Sequence, residues 1–166
     1  MVHNEEVLSN LSREDKRLLV KVMDIFLMTQ KYVQNILQGT GELPLFECHS
    51  TCRAIALHVQ ELMVVDGHYI GVSRKRRRDK VDARLRYCTH SWLVTPSGSI
   101  IDPYPVGILS MNPILIVTRG KYKSFGGGLY WPNAEVTRII DTKELRERVK
   151  ILSRVISEAQ NPHLIF

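Results

Sequence analysis

The sequence predicts an α+β fold, with one antiparallel sheet and helices packed on it. Three observations carry this. Two long stretches, 12–38 and 142–160, repeat apolar residues at helical spacing. Between them lie short runs rich in β-branched and aromatic residues, bounded by turn residues. The strongest of these runs returns through a tight turn, so the strands lie antiparallel and helices must cover the sheet. At 166 residues the chain suits a single domain over 1–166. A chain of that length buries most of its apolar surface without staples.

In the first helix, Leu18, Leu19, Val22, Ile25, Phe26, Val33, Ile36 and Leu37 form the apolar stripe. Ser12 followed by Asp15 resembles a capping box. Gly39, Gly41 and Pro44 end the helix and make a turn. A second helix is expected from Cys48 to about Leu62, with Ala54, Ile55, Leu57, His58 and Leu62 on its stripe. "GHYIGV" (Gly67–Val72) reads as a short strand and "RLRYCTHSWLVT" (Arg84–Thr95) as a strong one. Pro96–Ser99 reads as a hairpin turn, with Ile100–Asp102 as the returning strand. Ile114–Thr118 is a third strand, and "GKYKSFGGGLYWP" a loop with a short strand. Glu135–Ile140 reads as a further strand. Leu145, Val149, Leu152, Val155, Ile156 and Ala159 share one face of the last helix, which Asn161-Pro162 stops.

The net charge of +6 is not spread evenly. Arg74–Arg86 holds eight Lys/Arg and two Asp, so the remainder of the chain is balanced. The run Arg74–Arg78 reads as a solvated basic loop between two strands, able to dock an acidic partner. No aromatic RNA-binding pattern or zinc finger accompanies it. Three cysteines do not make a disulfide framework, and no apolar run is long enough for a membrane span. "MVHNEEVLSN" is too polar and acidic for a signal peptide. A reducing, cytoplasmic setting is the expectation.

The chemistry centres on "FECHSTCRAIALHVQ" (Phe46–Gln60). A thiol at a helix start feels the positive end of the helix dipole and the free N–H groups there. Both favour thiolate over thiol, and the same N–H groups suit an oxyanion. A nucleophile also needs a base, and the base an orienting acceptor. His90 lies in the strong strand and Asp102 ends its hairpin partner, so the two are close across or diagonal to the ladder. The chain order is Cys48, His90, Asp102.

"HSWLVTPSGSIIDPYP" resembles the His-x-Trp, turn, Asp-Pro stretch of transglutaminase-like proteins in the papain-like cysteine hydrolase superfamily, especially small bacterial-type members. Their nucleophile opens a helix upstream, as Cys48 is expected to. The resemblance covers Phe46 to about Pro105. It implies a papain-like or transglutaminase-like core and a Cys48–His90–Asp102 triad, with Trp92 packed beside the histidine. This sequence departs from the pattern twice. Thr51 stands where Asn is expected three residues after the nucleophile, and Glu42 where a papain-type Gln would sit. The oxyanion donors are then backbone N–H groups or a further donor that the sequence does not place.

Cys52 competes with Cys48, since "HSTCRA" loosely echoes the papain-type nucleophile motif. Cys48 fits the helix start better, and Cys52 falls one turn inside as a small buried residue. A zinc site from Cys48, Cys52, Cys88 and His90 is a further alternative, although one pair lies in a helix and the other in a strand. His49, His58, His68 and His163 have no partner set by the sequence. Gly126–Gly128 lacks the Lys-Ser/Thr of a phosphate loop. The leading reading is an acyl-transfer enzyme needing no metal or cofactor. It would act on a protein, peptide or small amide as peptidase, amidase, deamidase or transglutaminase. The alternative is an inactive binding module on the same fold that docks an acidic partner.

Overall fold

A computed structural model describes the backbone of residues 11–36, 46–77, 80–104, 114–116 and 129–161, and the side chains of all of these except 71–87 and 114–116. Four helices and five strands lie among them: α1 Arg13–Ile36, α2 Cys48–His58, β1 Met63–Arg77, β2 Lys80–Val94, β3 Ile100–Asp102, β4 Ile114–Ile116, β5 Leu129–Pro132, α3 Ala134–Ile140 and α4 Lys143–Gln160. The sheet order is β4-β3-β2-β1-β5, with every pair antiparallel. This is the α+β class. Gly39, Gly41, Glu42, Pro44, Arg78, Gly126–Gly128 and His163 lie outside the described residues. No described helix is long and apolar enough to cross a membrane.

Strand alternation divides the sheet into two faces. On one, Leu93 and Ile101 stand opposite each other and join a core with Leu18, Val22 and Ile25 of α1, Cys52, Ala54 and Ile55 of α2, and Leu152 and Ile156 of α4. Each fully buried Leu or Ile there contributes about 1.5–3 kcal/mol. On the other, Val94 and Ile100 pair beside Trp92 and Tyr130. β3 is buried on both faces, which explains its unbroken apolar start.

The β2–β3 turn closes with Thr95 N–H donating to Ser99 O at 2.9 Å, and Gly98 takes a φ of +87° that a side chain would resist. The turn is also clasped to α1. Ser12 accepts the Asp15 N–H at 3.0 Å, as the cap signal predicts. The Asp15 carboxylate, however, points away from the helix and accepts from Ser97 at 2.7 Å and Ser99 at 3.0 Å. Burial alone would raise the pKa of this carboxyl; the surrounding hydroxyl donors win and hold it below the usual range. A depressed folded pKa adds stability above the unfolded value near 4. That stability is lost as pH falls through the folded value. Asp15→Ala should therefore cost about 2 kcal/mol at pH 7, and less under acid, in urea unfolding. Equal losses at both pH values would show that the clasp carries no charge.

Three expectations need correction. Glu135–Ile140 lies in α3, not in a strand. Asn133 caps it by accepting the Glu135 N–H at 3.0 Å, and Val136 is its one buried residue. A short capped helix anchored by one side chain overrides the β-branched composition. The basic run is not a loop. Arg74–Arg77 belong to β1 and Lys80–Arg86 to β2, in continuous register from Met63↔Val94 to Arg77↔Lys80. The ladder supplies partners for backbone groups that a loop would leave to water, and Asp82 stands opposite Lys75. Finally, α2 ends at His58 rather than Leu62, because the chain turns at Val59–Leu62 to enter β1.

Candidate active site

Cys48 is the first residue of α2. Glu47 precedes it in extended conformation and supplies no side-chain cap. The first N–H groups of a helix have no carbonyl four residues back, so those of Cys48 and His49 point out of the helix end. Cys48 is partly buried, whereas Cys52 is fully enclosed.

His90 and Asp102 meet as the hairpin register requires. Leu93 pairs with Ile101 and Val94 with Ile100. One step along, Asp102 lies opposite Trp92 and diagonal to His90. The His90 Nε2 to Asp102 Oδ2 distance is 2.7 Å, with both side chains 0% exposed. Asp102 also accepts from the Tyr104 N–H at 3.0 Å and the Tyr130 hydroxyl at 2.6 Å. Tyr130 is a site residue the sequence reading missed. It sits on β5, beyond β1 and β2 from β3. In a flat sheet that separation is about 14 Å, longer than a tyrosine side chain, so the sheet curls around this cluster. Tyr130 fills the curl, its ring centroid 5.2 Å from Tyr69, 5.9 Å from His90 and 5.0 Å from Trp92. Trp92 lies 6.2 Å from His90.

With Nε2 held by Asp102, Nδ1 of His90 is the nitrogen left for the thiol. The Cys48 sulfur interacts with the His90 ring, but Nδ1 makes no fully formed hydrogen bond. Such gaps are common before substrate binds. Burial pushes the Cys48 thiol up, yet the rings of His49 and His90 outweigh it and bring the pKa down to about 6. Burial disfavours the His90 cation, but Asp102, and then Cys48, raise its pKa to about 9. Between these values the pair is thiolate and imidazolium, and the two titrations belong to the pair. Cys52 shows the opposite behaviour. Burial, then the nearby Asp102 and Cys48 charges, hold its pKa well above the ordinary range, and its thiol donates to Ser91 O at 3.2 Å.

Among the described residues three buried polar side-chain atoms lack a hydrogen-bond partner: Thr51 Oγ1, His90 Nδ1 and Trp92 Nε1. Open buried polar groups are exceptions in folded proteins. These three belong to residues that the sequence reading places at the site.

His49 also needs correction. The sequence gives it no partner, but its Nδ1 lies 2.7 Å from Ser91 Oγ, and the imidazole helps to hold the Cys48 pKa down. Ser91, Asp66 and Arg53 behind it carried no recognisable sequence signal. His58 is likewise engaged, 3.0 Å from Ser153 Oγ on α4. The four residues of the zinc alternative are not gathered. No cluster of three His, Cys, Asp or Glu among the described residues is placed to hold a metal ion. Cys88 instead faces Tyr69 O at 3.9 Å. Comparison with protein-family models, curated proteins and solved structures finds no match for this chain.

Proposed function

We propose that this protein is a cysteine-nucleophile acyl-transfer enzyme with a papain-like or transglutaminase-like arrangement. One observation carries the reading. A thiol with a depressed pKa stands beside a histidine whose far nitrogen is anchored to a buried aspartate. In this mechanism the Cys48 thiolate attacks an amide or thioester carbonyl, forming the S–C bond. The N–H groups at the start of α2 donate to the oxyanion. His90 passes its Nδ1 proton to the departing amine or thiol, and the C–N or C–S bond breaks. His90, neutral again, takes a proton from water or an amine that attacks the thioester and releases Cys48. Asp102 holds the ring and steadies its cation. The fold supports hydrolysis and transfer equally. Three free cysteines suit a reducing, cytoplasmic compartment.

An activated ester such as p-nitrophenyl acetate tests this. A burst should leave one acetyl group on Cys48 by peptide mass spectrometry. The acylation rate should rise through pH about 6 and fall above about 9, because the nucleophile must be thiolate and the acid imidazolium. Acylation spread over all three cysteines, rising only above pH 8, rejects the enzyme reading.

A second reading has its own observation. Among the described residues, β5 pairs β1 at Gly67–Ile70, and β3 pairs β2 at Leu93–Val94. From Gly71 to Arg86 the two long strands pair with each other. This ribbon holds the net charge of the chain, and in register Lys75, Arg77, Lys80, Arg84 and Arg86 share one face with Asp82. Such an arm fits an acidic partner, whether the thiol site is active or inert. Polyglutamate should bind at low salt and release as salt rises. Arg84→Glu with Arg86→Glu should weaken binding at least about tenfold, as loss of two charge contacts implies. Equal binding by the variant removes the arm from consideration.

A further inference from the structure

We propose that His49 is a second proton acceptor for Cys48, held in one tautomer by a relay through Ser91 to Asp66. The inference rests on Cys48 being the nucleophile, as argued above.

The relay has one consistent proton assignment. Asp66 is 8% exposed, and its Oδ1 accepts from the Ser91 hydroxyl. Ser91 has one proton to give, and Asp66 takes it. The 2.7 Å contact between Ser91 Oγ and His49 Nδ1 must then be donated by the imidazole. Nδ1 carries hydrogen, and Nε2 is the nitrogen with a free lone pair in neutral His49. Arg53 locks the arrangement from behind. It donates to Asp66 Oδ2 at 2.6 Å, to Ser91 Oγ at 3.2 Å and to the His49 carbonyl at 3.2 Å. Burial alone would raise the Asp66 pKa, yet Arg53 and Ser91 hold it down. Asp66 thus stays an acceptor, and the hydroxyl cannot easily turn.

The thiol is therefore flanked by two imidazoles, each tied to a buried aspartate. Asp102 grips His90 directly through Nε2, and Asp66 grips His49 through Ser91 and Nδ1. Among the described residues, the ionisable groups about Cys48 and its neighbour Cys52 come from four elements: His49 and Arg53 on α2, Asp66 on β1, His90 on β2 and Asp102 on β3. When the thiol proton leaves Sγ for His49 Nε2, the products are a thiolate and an imidazolium that Ser91 still accepts from. His90 is fully buried, whereas His49 is half-buried and lines a cavity of about 230 Å³ with Glu47, Ile140, Thr142, Glu144, Leu145 and Arg148. His49 is the histidine that a group entering from that cavity meets first.

Two measurements on the full chain test this. In wild type, 15N–1H correlation spectra should show the Nδ1–H tautomer for neutral His49, and an Nε2–H tautomer overturns the relay. The second is the pH profile of Cys48 alkylation by iodoacetamide in wild type, His49→Gln, Ser91→Ala and Ser91→Thr. His49→Gln should raise the midpoint, slowing alkylation at pH 6 by about fivefold for a shift of one unit while the high-pH plateau is unchanged. Ser91→Ala should move it the same way by less, and Ser91→Thr, which keeps the hydroxyl, should restore it. A His49→Gln midpoint equal to wild type sinks the inference and leaves the Cys48–His90 reading standing. A wild-type midpoint in the ordinary thiol range sinks both.

Discussion

His90→Gln is expected to slow alkylation of Cys48 at pH 7 by about 30-fold or more. The glutamine amide can still offer an N–H to Asp102, so the buried carboxylate is not abandoned. It cannot take or hold a proton. With the imidazolium gone, the thiol loses its main opposing charge and burial pushes its pKa back up. At pH 7 most of the sulfur is thiolate in wild type and only a few per cent in the variant. His90→Ala should add a large stability loss, about 3 kcal/mol, because Asp102 is left buried without its strongest partner. The two substitutions thus separate chemistry from folding. Unchanged alkylation in His90→Gln would mean that another group sets the reactivity of the thiol.

Gly67→Ala is expected to cost about 3 kcal/mol in urea unfolding. A Cβ at Gly67 would meet the Trp131 carbonyl oxygen at 2.0 Å and the Pro132 Cα at 2.8 Å. Both belong to the backbone of β5, so no flexible side-chain end can swing away. β5 pairs with β1 from Gly67 to Ile70, and the Asn133 N–H donates to Asp66 O at 3.0 Å just beyond it. The strand must lift, and Tyr130 lifts with it. Asp102 then loses the hydroxyl held at 2.6 Å. Slower Cys48 alkylation should accompany the lost stability. A variant with wild-type stability and alkylation would show that β5 does not seat across Gly67.

The relation between sequence and site explains what was legible. His90 and Asp102 are twelve residues apart on one hairpin, so turn length and strand alternation suffice to bring them together. Cys48 was readable because a helix start has local signals. Tyr130 was not, because its place depends on β5 docking beside β1 some sixty residues away in sequence and on the curl of the sheet. The Asp66–Ser91–His49 relay was hidden for the same reason. A serine between His90 and Trp92 looks like a solvent-facing strand residue until the partner strand and α2 are placed. Composition misled twice. The β-branched residues of "EVTRII" favour a strand, but Asn133 and one buried valine settle a helix. Dense positive charge reads as a loop, yet ladder hydrogen bonds hold the run in strands through Arg77 and Lys80.

The central claim is that Cys48 rests as a thiolate in partnership with His90. Thiolate ultraviolet absorbance, titrated in wild type and in Cys48→Ser, tests it without any substrate. One thiolate per chain should appear with a midpoint near pH 6 and be missing from Cys48→Ser across the same range. Cys52 should stay protonated until far higher pH. A wild-type curve that rises only above pH 8, or one unchanged by Cys48→Ser, would contradict it.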